Sequence, residues 1–537
     1  MPEIDTVTNN RPPWYVSTAI PYVNAQPHIG FALEAVLTDA LACYHRLHGD
    51  DVFALTGTDD NSLKNVRAAE REGVPTAEFV DRNAAQFQAL AGALNLSFDD
   101  FIRTSSDPRH LAGVAKLWEA CARAGDIYTR PYRGLYCVGC EQFYTEDELV
   151  NGLCPEHGTP PEVVEEENYF FRLSRYADQL RELIASDALR IVPETRKNEV
   201  LGLIRQGLTD FSISRSQARA HGWGIPVPGD PEQVIYVWFD ALGNYITALD
   251  YANEGPLYQR YWLHNPRRNH VIGKGILRFH AVYWPAMLLS AGVPLPTTIL
   301  VHGYVTTDGA KISKSLGNTI DPVALAERYG ADALRYYLLR AIPATEDADF
   351  SLERFRQLYN SDLADALGNL VNRVTSMIGR YHAGAVPAPG AAADEDQPLL
   401  ACAAGLGERV AAAMERFAPH EALAAVWELV DEANRYVERS APWTLAKRRA
   451  DDEAAGARLN TVLYNLAESL RLLAVACAPF LPATAEGIAE RIGIPHDERS
   501  WDEAYTWGGT HPGTQVRPGG VLFPKLELET VGVTAEE

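Results

Sequence analysis

The sequence predicts an α/β protein with a parallel, doubly wound sheet, interrupted by a small inserted domain and followed by a C-terminal bundle of helices. Three observations carry this prediction. Strand-like and helix-like stretches alternate from Trp14 to Leu94 and again from Gln233 to Val305. The alternation breaks near Asp126, where short strands, turns and a Cys/His cluster begin. From Asp321 onward the pattern is helical and amphipathic.

The elements follow in order. WYVSTAIPYV, from Trp14, is rich in β-branched and aromatic residues and reads as a strand entering a loop. IGFALEAVLTDALACYHRLHG then has helical periodicity and ends at Gly49. DDVFALTGTDD is a second apolar strand ending in polar residues, and TAEFVDRNAAQFQALAGAL is again helical. Polar residues at the C-terminal ends of parallel strands line the ligand crevice of such sheets. QVIYVWFDAL, RNHVIGKGILRFHAVYWPAML and TTILVHGYV resume the α/β pattern. ALRYYLLRAI, LADALGNLVNRVTSMIGRY, HEALAAVWELVDEANRYVE and ARLNTVLYNLAESLRLLAVACAPFL read as helices of a bundle. HAGAVPAPGAAADEDQP is a surface loop, and GGVLFPKLELE is a short apolar tail able to dock back on the body. The expected division is 1–125 and 228–325 for the two halves of the catalytic α/β domain, 126–227 for the insertion, 326–360 for a connecting segment and 361–537 for the helical domain.

A chain of 537 residues is too long for one core, and 47% hydrophobic residues are enough for several. No apolar run reaches the roughly 18 residues of a membrane helix, and the N-terminus lacks the pattern of a secretory signal. A soluble cytoplasmic protein is expected, with a monomer as the default. The net charge of −23 argues against nonspecific coating of nucleic acid, yet leaves room for a local basic groove. Seven cysteines, an odd and sparse set, do not make a disulfide framework.

Four motifs carry chemistry. PHIG, Pro27 to Gly30, follows a predicted strand and opens a helix. His28 there can donate to a phosphate, the helix dipole favours an anion, and Gly30 permits close approach of a nucleotide. Alone this tetrapeptide is no more than a capping turn. DGAKISKSLGN, Asp308 to Asn318, sets Lys311 and Lys314 among glycines and serines, as a loop that clamps a triphosphate would. CVGCEQFYTEDELVNGLCPEHG holds Cys137, Cys140, Cys154 and His157 as a CxxC and a CxxH pair, the spacing of a closed, structural Zn²⁺ knuckle. VWFDALGNY and GKGILRFH contribute Trp238, Ala241, Leu242, Tyr245, Ile276 and His280, which taken alone read as core.

Together these motifs resemble the class I aminoacyl-tRNA synthetases, and specifically the methionyl-tRNA synthetase family, from about Trp14 to about Leu528. HIG and KISKS are similar to the class signatures HIGH and KMSKS. AIPYVNAQPHIG, TGTD, the zinc knuckle, VWFDAL, FHAVYWPAML and APWTLAK are similar to the methionine branch. The resemblance implies a Rossmann-like catalytic domain and ATP-dependent activation of methionine, or a related amino acid, followed by transfer to tRNA(Met). It implies a methionine pocket of Ile20, Tyr22, Trp238, Ala241, Tyr245, Ile276 and His280, with Asp59 holding the substrate ammonium. On the nucleotide side it implies His28, Gly30, Gly273, Lys311 and Lys314, with Mg²⁺ accompanying ATP and His28, Lys311 and Lys314 as the catalytic cations and donors. In the helical domain it implies Asn369, Arg373 and Trp443 at the CAU anticodon, where unpaired bases stack on aromatic rings.

Departures from the family pattern cluster at the nucleotide side. Phe31 stands where HIGH has its second histidine, and a phenyl ring cannot donate a hydrogen bond. Asn61 and Ser62 stand for His and Gly of the usual GTDEHG, and Gly275 for the acid of GKD. SISRSQARAHGWGIPVP is unusual in its middle. Uncompensated, each active-site loss would cost about 1–3 kcal/mol of transition-state binding. Three readings follow: a methionine–tRNA ligase with divergent ATP contacts; a biosynthetic relative that passes an activated amino acid to a non-tRNA acceptor, forming an amide, ester or hydrazine; and a tRNA-binding protein without ATP turnover.

Overall fold

The computed structural model describes residues 11–307, 310–311, 320–493 and 501–527. The chain divides into two compact units. One comprises Met1–Thr38, Asp51–Gly92 and Leu96–Tyr304, the other Asp39–Asp50, Ala93–Asn95 and Val305–Glu537.

The first unit is built on a six-stranded sheet in the order Asp100–Arg103, Asp51–Thr58, Pro13–Thr18, Arg268–Gly273, Thr298–His302, Arg190–Val192. Every neighbouring pair in it is parallel. The central strands are buried along almost their whole length, as expected where both faces carry helices. From Pro13–Thr18 the chain first builds outward on one side, through the helix Ile29–Leu47 and the strand Asp51–Thr58. It later returns to the other side with Arg268–Gly273. The strand order therefore reverses between Pro13–Thr18 and Arg268–Gly273, and the crevice beyond their C-terminal ends is where ligands of such sheets bind.

The inserted segment forms an antiparallel four-stranded sheet in the order Gln142–Tyr144, Ile127–Cys137, Glu162–Phe171, Phe211–Ser212. The cysteine cluster sits at the hairpin where Ile127–Cys137 meets Gln142–Tyr144. The expected span of 126–227 is not a closed unit: a small sheet of Ser214–Ser216, Pro226–Val227 and Asp230–Ile235 runs across its end. Arg190–Val192 also leaves the span to become the edge strand of the main sheet, paired with Thr298–Leu300. Three residues carry too little periodicity to announce a strand.

The second unit is helical. The helix Glu453–Cys477 is buried along most of its length and packs against Pro419–Ser440, Asn369–His382 and Pro482–Ile492. Its interior carries polar networks. The Arg335 guanidinium is fully buried, pairs with Asp39 at 2.7 Å, and donates to the carbonyls of Phe480 and Pro479 at 2.7 and 3.1 Å. Glu468 accepts from Arg471, Gly508, Gly509 and Thr510, tying a loop to the central helix. The tail docks as expected: Phe523 is buried, and Asn360 exchanges hydrogen bonds with Leu526. Among the described residues, no helix is long and apolar enough to cross a membrane.

Candidate active site

The crevice has two walls. On one, the segment after Pro13–Thr18 brings half-buried Ile20 and Tyr22 toward the polar end of Asp51–Thr58, and Tyr22 bridges to Asp59. Tyr22, Trp238, Tyr245 and Ile276 belong to one apolar cluster. The Trp238 ring stacks on Phe279 at 3.7 Å and meets the edges of Tyr22 and His280, each at 6.3 Å. Ala241 is buried one helical turn beyond Trp238.

Hydrogen-bond bookkeeping settles the state of His280. Burial pulls its pKa down to about 4, so the ring is neutral near pH 7. Its Nδ1 lies 2.9 Å from the Ile276 carbonyl, which can only accept, so the ring proton sits on Nδ1. Nε2 is then an acceptor, and the Tyr245 hydroxyl donates to it at 2.6 Å. Two buried polar atoms of this wall, the Tyr22 hydroxyl and the Trp238 indole nitrogen, have no hydrogen-bond partner among the described residues. Buried polar atoms without a protein partner, beside aromatic faces, mark a place where a ligand can satisfy them.

Asp59 closes this wall. Burial raises its carboxyl well above the usual range, and the charges of Asp240, Asp60 and Glu141 raise it further. A buried carboxylate so crowded by like charge gains most from a cationic partner. Lys64 does not fill that role: its ammonium lies over the Tyr22 ring, 4.4 Å from the centroid.

The second wall begins at His28, which immediately precedes the helix Ile29–Leu47. The Gly30 N–H donates to His28 Nδ1 at 3.1 Å, which leaves the ring proton of neutral His28 on Nε2. The fold of the ring over the backbone requires glycine here, because a Cβ at position 30 would lie 2.9 Å from His28 Cε1. Gly273 ends the neighbouring strand, in register with His302. Between them lies a pair that sequence reading missed: the buried Glu34 carboxyl lies 2.8 Å from His302 Nε2 and accepts from the Ala19 N–H at 2.9 Å. The signal was present as Glu four residues after Gly30, but its partner is 268 positions away.

Each departure from the family pattern has a structural account. Phe31 packs edge-on against Phe87 at 5.1 Å, against a small core of Val23, Ala68, Phe79, Val80 and Ala84. Its ring serves packing where the family has a donor. Asn61 donates to Asp240 at 2.7 Å and to the Thr104 carbonyl at 3.2 Å. On its other oxygen Asp240 meets His110 Nε2 at 2.6 Å, so this buried carboxylate is held from both sides. Ser62 caps the helix Leu63–Glu72 by accepting from the Lys64 N–H at 3.0 Å, and its hydroxyl donates to Glu141 at 2.8 Å. Gly275 lies beneath the Tyr304 hydroxyl, with which a Cβ would collide. The unusual SQARAHGW stretch places Trp223 so that its indole N–H donates to the Asp60 carbonyl at 2.9 Å.

Glu141 belongs to the Cys/His hairpin and links it to this site. It accepts from Ser62, from the Lys64 N–H and from the Tyr136 hydroxyl, and its own carbonyl accepts from Tyr236. In the hairpin the ligand atoms of Cys137, Cys140, Cys154 and His157 all lie within 4.8 Å of one another. The Cys140 and Cys154 sulfurs are 3.4 Å apart, and Cys140 Sγ is 3.2 Å from His157 Nδ1. Three thiols and an imidazole converging this closely fit one tetrahedral Zn²⁺.

In the second unit, Asn369 and Arg373 lie one turn apart on the helix Asn369–His382, and Arg373 pairs with Glu438 at 2.6 Å. Glu438 sits near the end of Pro419–Ser440, five residues before Trp443, whose ring is 37% exposed. Trp443 is exposed at the start of the helix Pro442–Arg448. Lys311 ends the two-residue strand Ala310–Lys311, and Lys314 lies outside the described residues.

A mononucleotide-type switch point with a helix N-terminus on one wall and an aromatic pocket on the other defines a class of α/β nucleotide-dependent enzymes. Comparison narrows it. The family model described as tRNA synthetases class I (M) matches residues 14–160 and 156–375, and that of the anticodon binding domain of methionyl tRNA ligase matches 386–534. The methionine–tRNA ligase of Mycobacterium tuberculosis strain H37Rv is 45% identical over 96% of this chain and 98% of its own. That of Caldanaerobacter subterraneus is 43% identical over 96% of this chain and 79% of its own. The M. tuberculosis methionyl-tRNA synthetase in complex with methionyl-adenylate superposes with a TM-score of 0.91 at 45% identity, covering 96% of this chain and 100% of that one. The chain belongs to the methionyl-tRNA synthetase family of class I aminoacyl-tRNA synthetases.

Proposed function

We propose that this chain activates methionine with ATP, as methionyl-adenylate, and transfers it to tRNA(Met). The observation that carries this reading is the wall of Tyr22, Trp238, Tyr245, Ile276 and His280 closed by Asp59. It offers aromatic faces and edges to a thioether and a carboxylate to an ammonium. The methionine carboxylate then attacks the α-phosphorus of ATP in line and pyrophosphate leaves. The terminal ribose hydroxyl of tRNA next attacks the acyl carbon and AMP leaves. Neither step needs a covalent enzyme intermediate, so positioning and electrostatics do the work. His28 and the first turn of Ile29–Leu47 face developing phosphate charge, while Lys311 and Lys314 neutralise the leaving pyrophosphate, with Mg²⁺ carried by the nucleotide.

In this reading residues 1–125 and 228–325 supply the catalytic body and 126–227 the insertion, with Cys137, Cys140, Cys154 and His157 holding a structural Zn²⁺. Residues 326–360 connect to the helical domain of 361–537, where Asn369, Arg373 and Trp443 read the anticodon. The setting is the cytoplasm, where thiol ligands stay reduced. The exposed Trp443, a ring on which an unpaired base can stack, supports tRNA over a small-molecule acceptor.

The test is methionine-dependent ATP–pyrophosphate exchange, followed by charging of total tRNA with labelled methionine. Exchange with charging is the expected result. Exchange without charging, from zinc-replete protein, would move the acceptor to a small amine or hydroxylamine. Absence of both would end the reading.

A further inference from the structure

We infer that Tyr304 is a nucleotide-binding residue of this protein, its hydroxyl standing in for the side chain that position 275 lacks. The inference deepens the reading above and rests on it for the identity of the nucleotide. Its geometry begins with the sheet. Gly273 and His302 are register partners at the ends of adjacent parallel strands, on the flank of the switch-point crevice. Two residues beyond each lie Gly275 and Tyr304, equivalent positions leaving paired strands in the same direction. Their side chains compete for one space, and here Tyr304 takes it: the phenol oxygen lies where a Cβ of residue 275 would be.

Two further observations place it at the edge of the crevice. The Lys274 ammonium lies 4.4 Å from the centre of the Tyr304 ring, a cation–π contact that fixes the ring beside the turn. Gly275 itself is exposed and Tyr304 only half-buried, so the turn beside which the hydroxyl lies is at the rim of the crevice and outside the core. A phenol both donates and accepts. It can therefore bond a neutral polar group of the nucleotide that an acid at 275 would reach, and it does so without adding negative charge beside a triphosphate. The Lys274 charge is at the same time turned onto a ring face instead of onto a carboxylate at 275.

The experiment measures ATP–pyrophosphate exchange with separate KM values for ATP and methionine, on variants whose melting temperatures match the parent. Tyr304→Phe should raise KM for ATP about 5–10-fold, the worth of one hydrogen bond, and leave KM for methionine within about twofold. Gly275→Ala, which displaces the hydroxyl, should do the same, and the double variant should be no worse than the worse single one. Gly275→Asp combined with Tyr304→Ala, which frees the space and returns a carboxylate, should recover KM for ATP to within about threefold of the parent. An unchanged KM for ATP in Tyr304→Phe would overturn the inference. If the parent shows no methionine-dependent exchange, the fault lies with the proposed activity, and calorimetric titration with ATP decides Tyr304 separately. Weaker binding by Tyr304→Phe would uphold it, and equal binding, or no binding by the parent, would overturn it.

Discussion

The two walls of the crevice depart from one another in how they are completed. The wall of Tyr22, Trp238, Tyr245 and His280 is a largely buried aromatic surface whose own hydrogen bonds run inward, from Tyr245 to His280 to the Ile276 carbonyl, and whose leftover polar atoms belong to Tyr22 and Trp238. The wall of His28 and Gly273 is half-open, and the positions that depart from the family pattern, around both walls, are engaged by protein groups: Phe31 by Phe87, Asn61 by Asp240, Ser62 by Glu141, and Gly275 by Tyr304. A closed pocket tolerates few changes, because each side chain there is at once wall and partner. An open rim can be rebuilt one contact at a time, since each contact has its own neighbour to answer to.

Breaking the closed wall should cost the most. Asp59→Asn removes a buried charge partner for the ammonium, and kcat/KM for methionine in pyrophosphate exchange should fall by about 100–1,000-fold. The same change should raise the melting temperature at neutral pH. The folded-state pKa of Asp59 is raised, so the fold favours its protonated form. Its contribution is most favourable below the ordinary carboxylate value near ~4 and is lost as pH rises toward the raised value. Thermal unfolding of parent and variant across pH 4–8 should show the parent losing ground to Asp59→Asn as pH increases. A variant that is destabilised at neutral pH would refute this.

Chelation tests what the Cys/His hairpin contributes to the wall of Asp59. Stripping Zn²⁺ should release Cys137–His157 and with it the Glu141 contact to Ser62 and Lys64. Exchange activity should fall at least about 10-fold and return with Zn²⁺, with metal analysis of the untreated protein giving about one Zn²⁺ per chain. Trp443→Ala separates the second unit from both walls. Losing one stacking ring should raise KM for tRNA about 5–100-fold while pyrophosphate exchange stays within about twofold. A parallel loss of exchange would show that the residue acts through folding. The smallest effect is expected at the rebuilt rim. Phe31→Leu keeps an apolar group against Phe87, and should cost about 1 kcal/mol of stability with exchange changed less than about threefold. A drop of 100-fold would place the Phe31 ring in the nucleotide contacts after all.

The legibility of the molecule follows a physical division. Strands and helices with long periodic runs, such as Pro13–Thr18 and Ile29–Leu47, were readable because their pattern is local. The Cys/His hairpin was readable because its four candidate ligands fall within twenty-one residues at fixed spacing. The members of the aromatic wall were singled out by resemblance alone, since an aromatic cluster looks the same in a core as in a pocket. The edge strand Arg190–Val192 was not readable, being three residues inside a segment of another character. Neither were Glu34 with His302 or Asn61 with Asp240, whose partners are 268 and 179 positions apart.

By itself, then, the amino-acid sequence determined the fold class, the family and the chemical types available: periodicity, turn residues and ligand spacing are properties of neighbours along the chain. Only the tertiary structure decided what the departures mean. Whether Phe31 removes a donor or adds a packing contact, and whether Gly275 leaves a gap or makes room for Tyr304, depends on which distant side chain arrives at each place. That is set by the pairing of strands whose residues are hundreds of positions apart, and no local pattern encodes it.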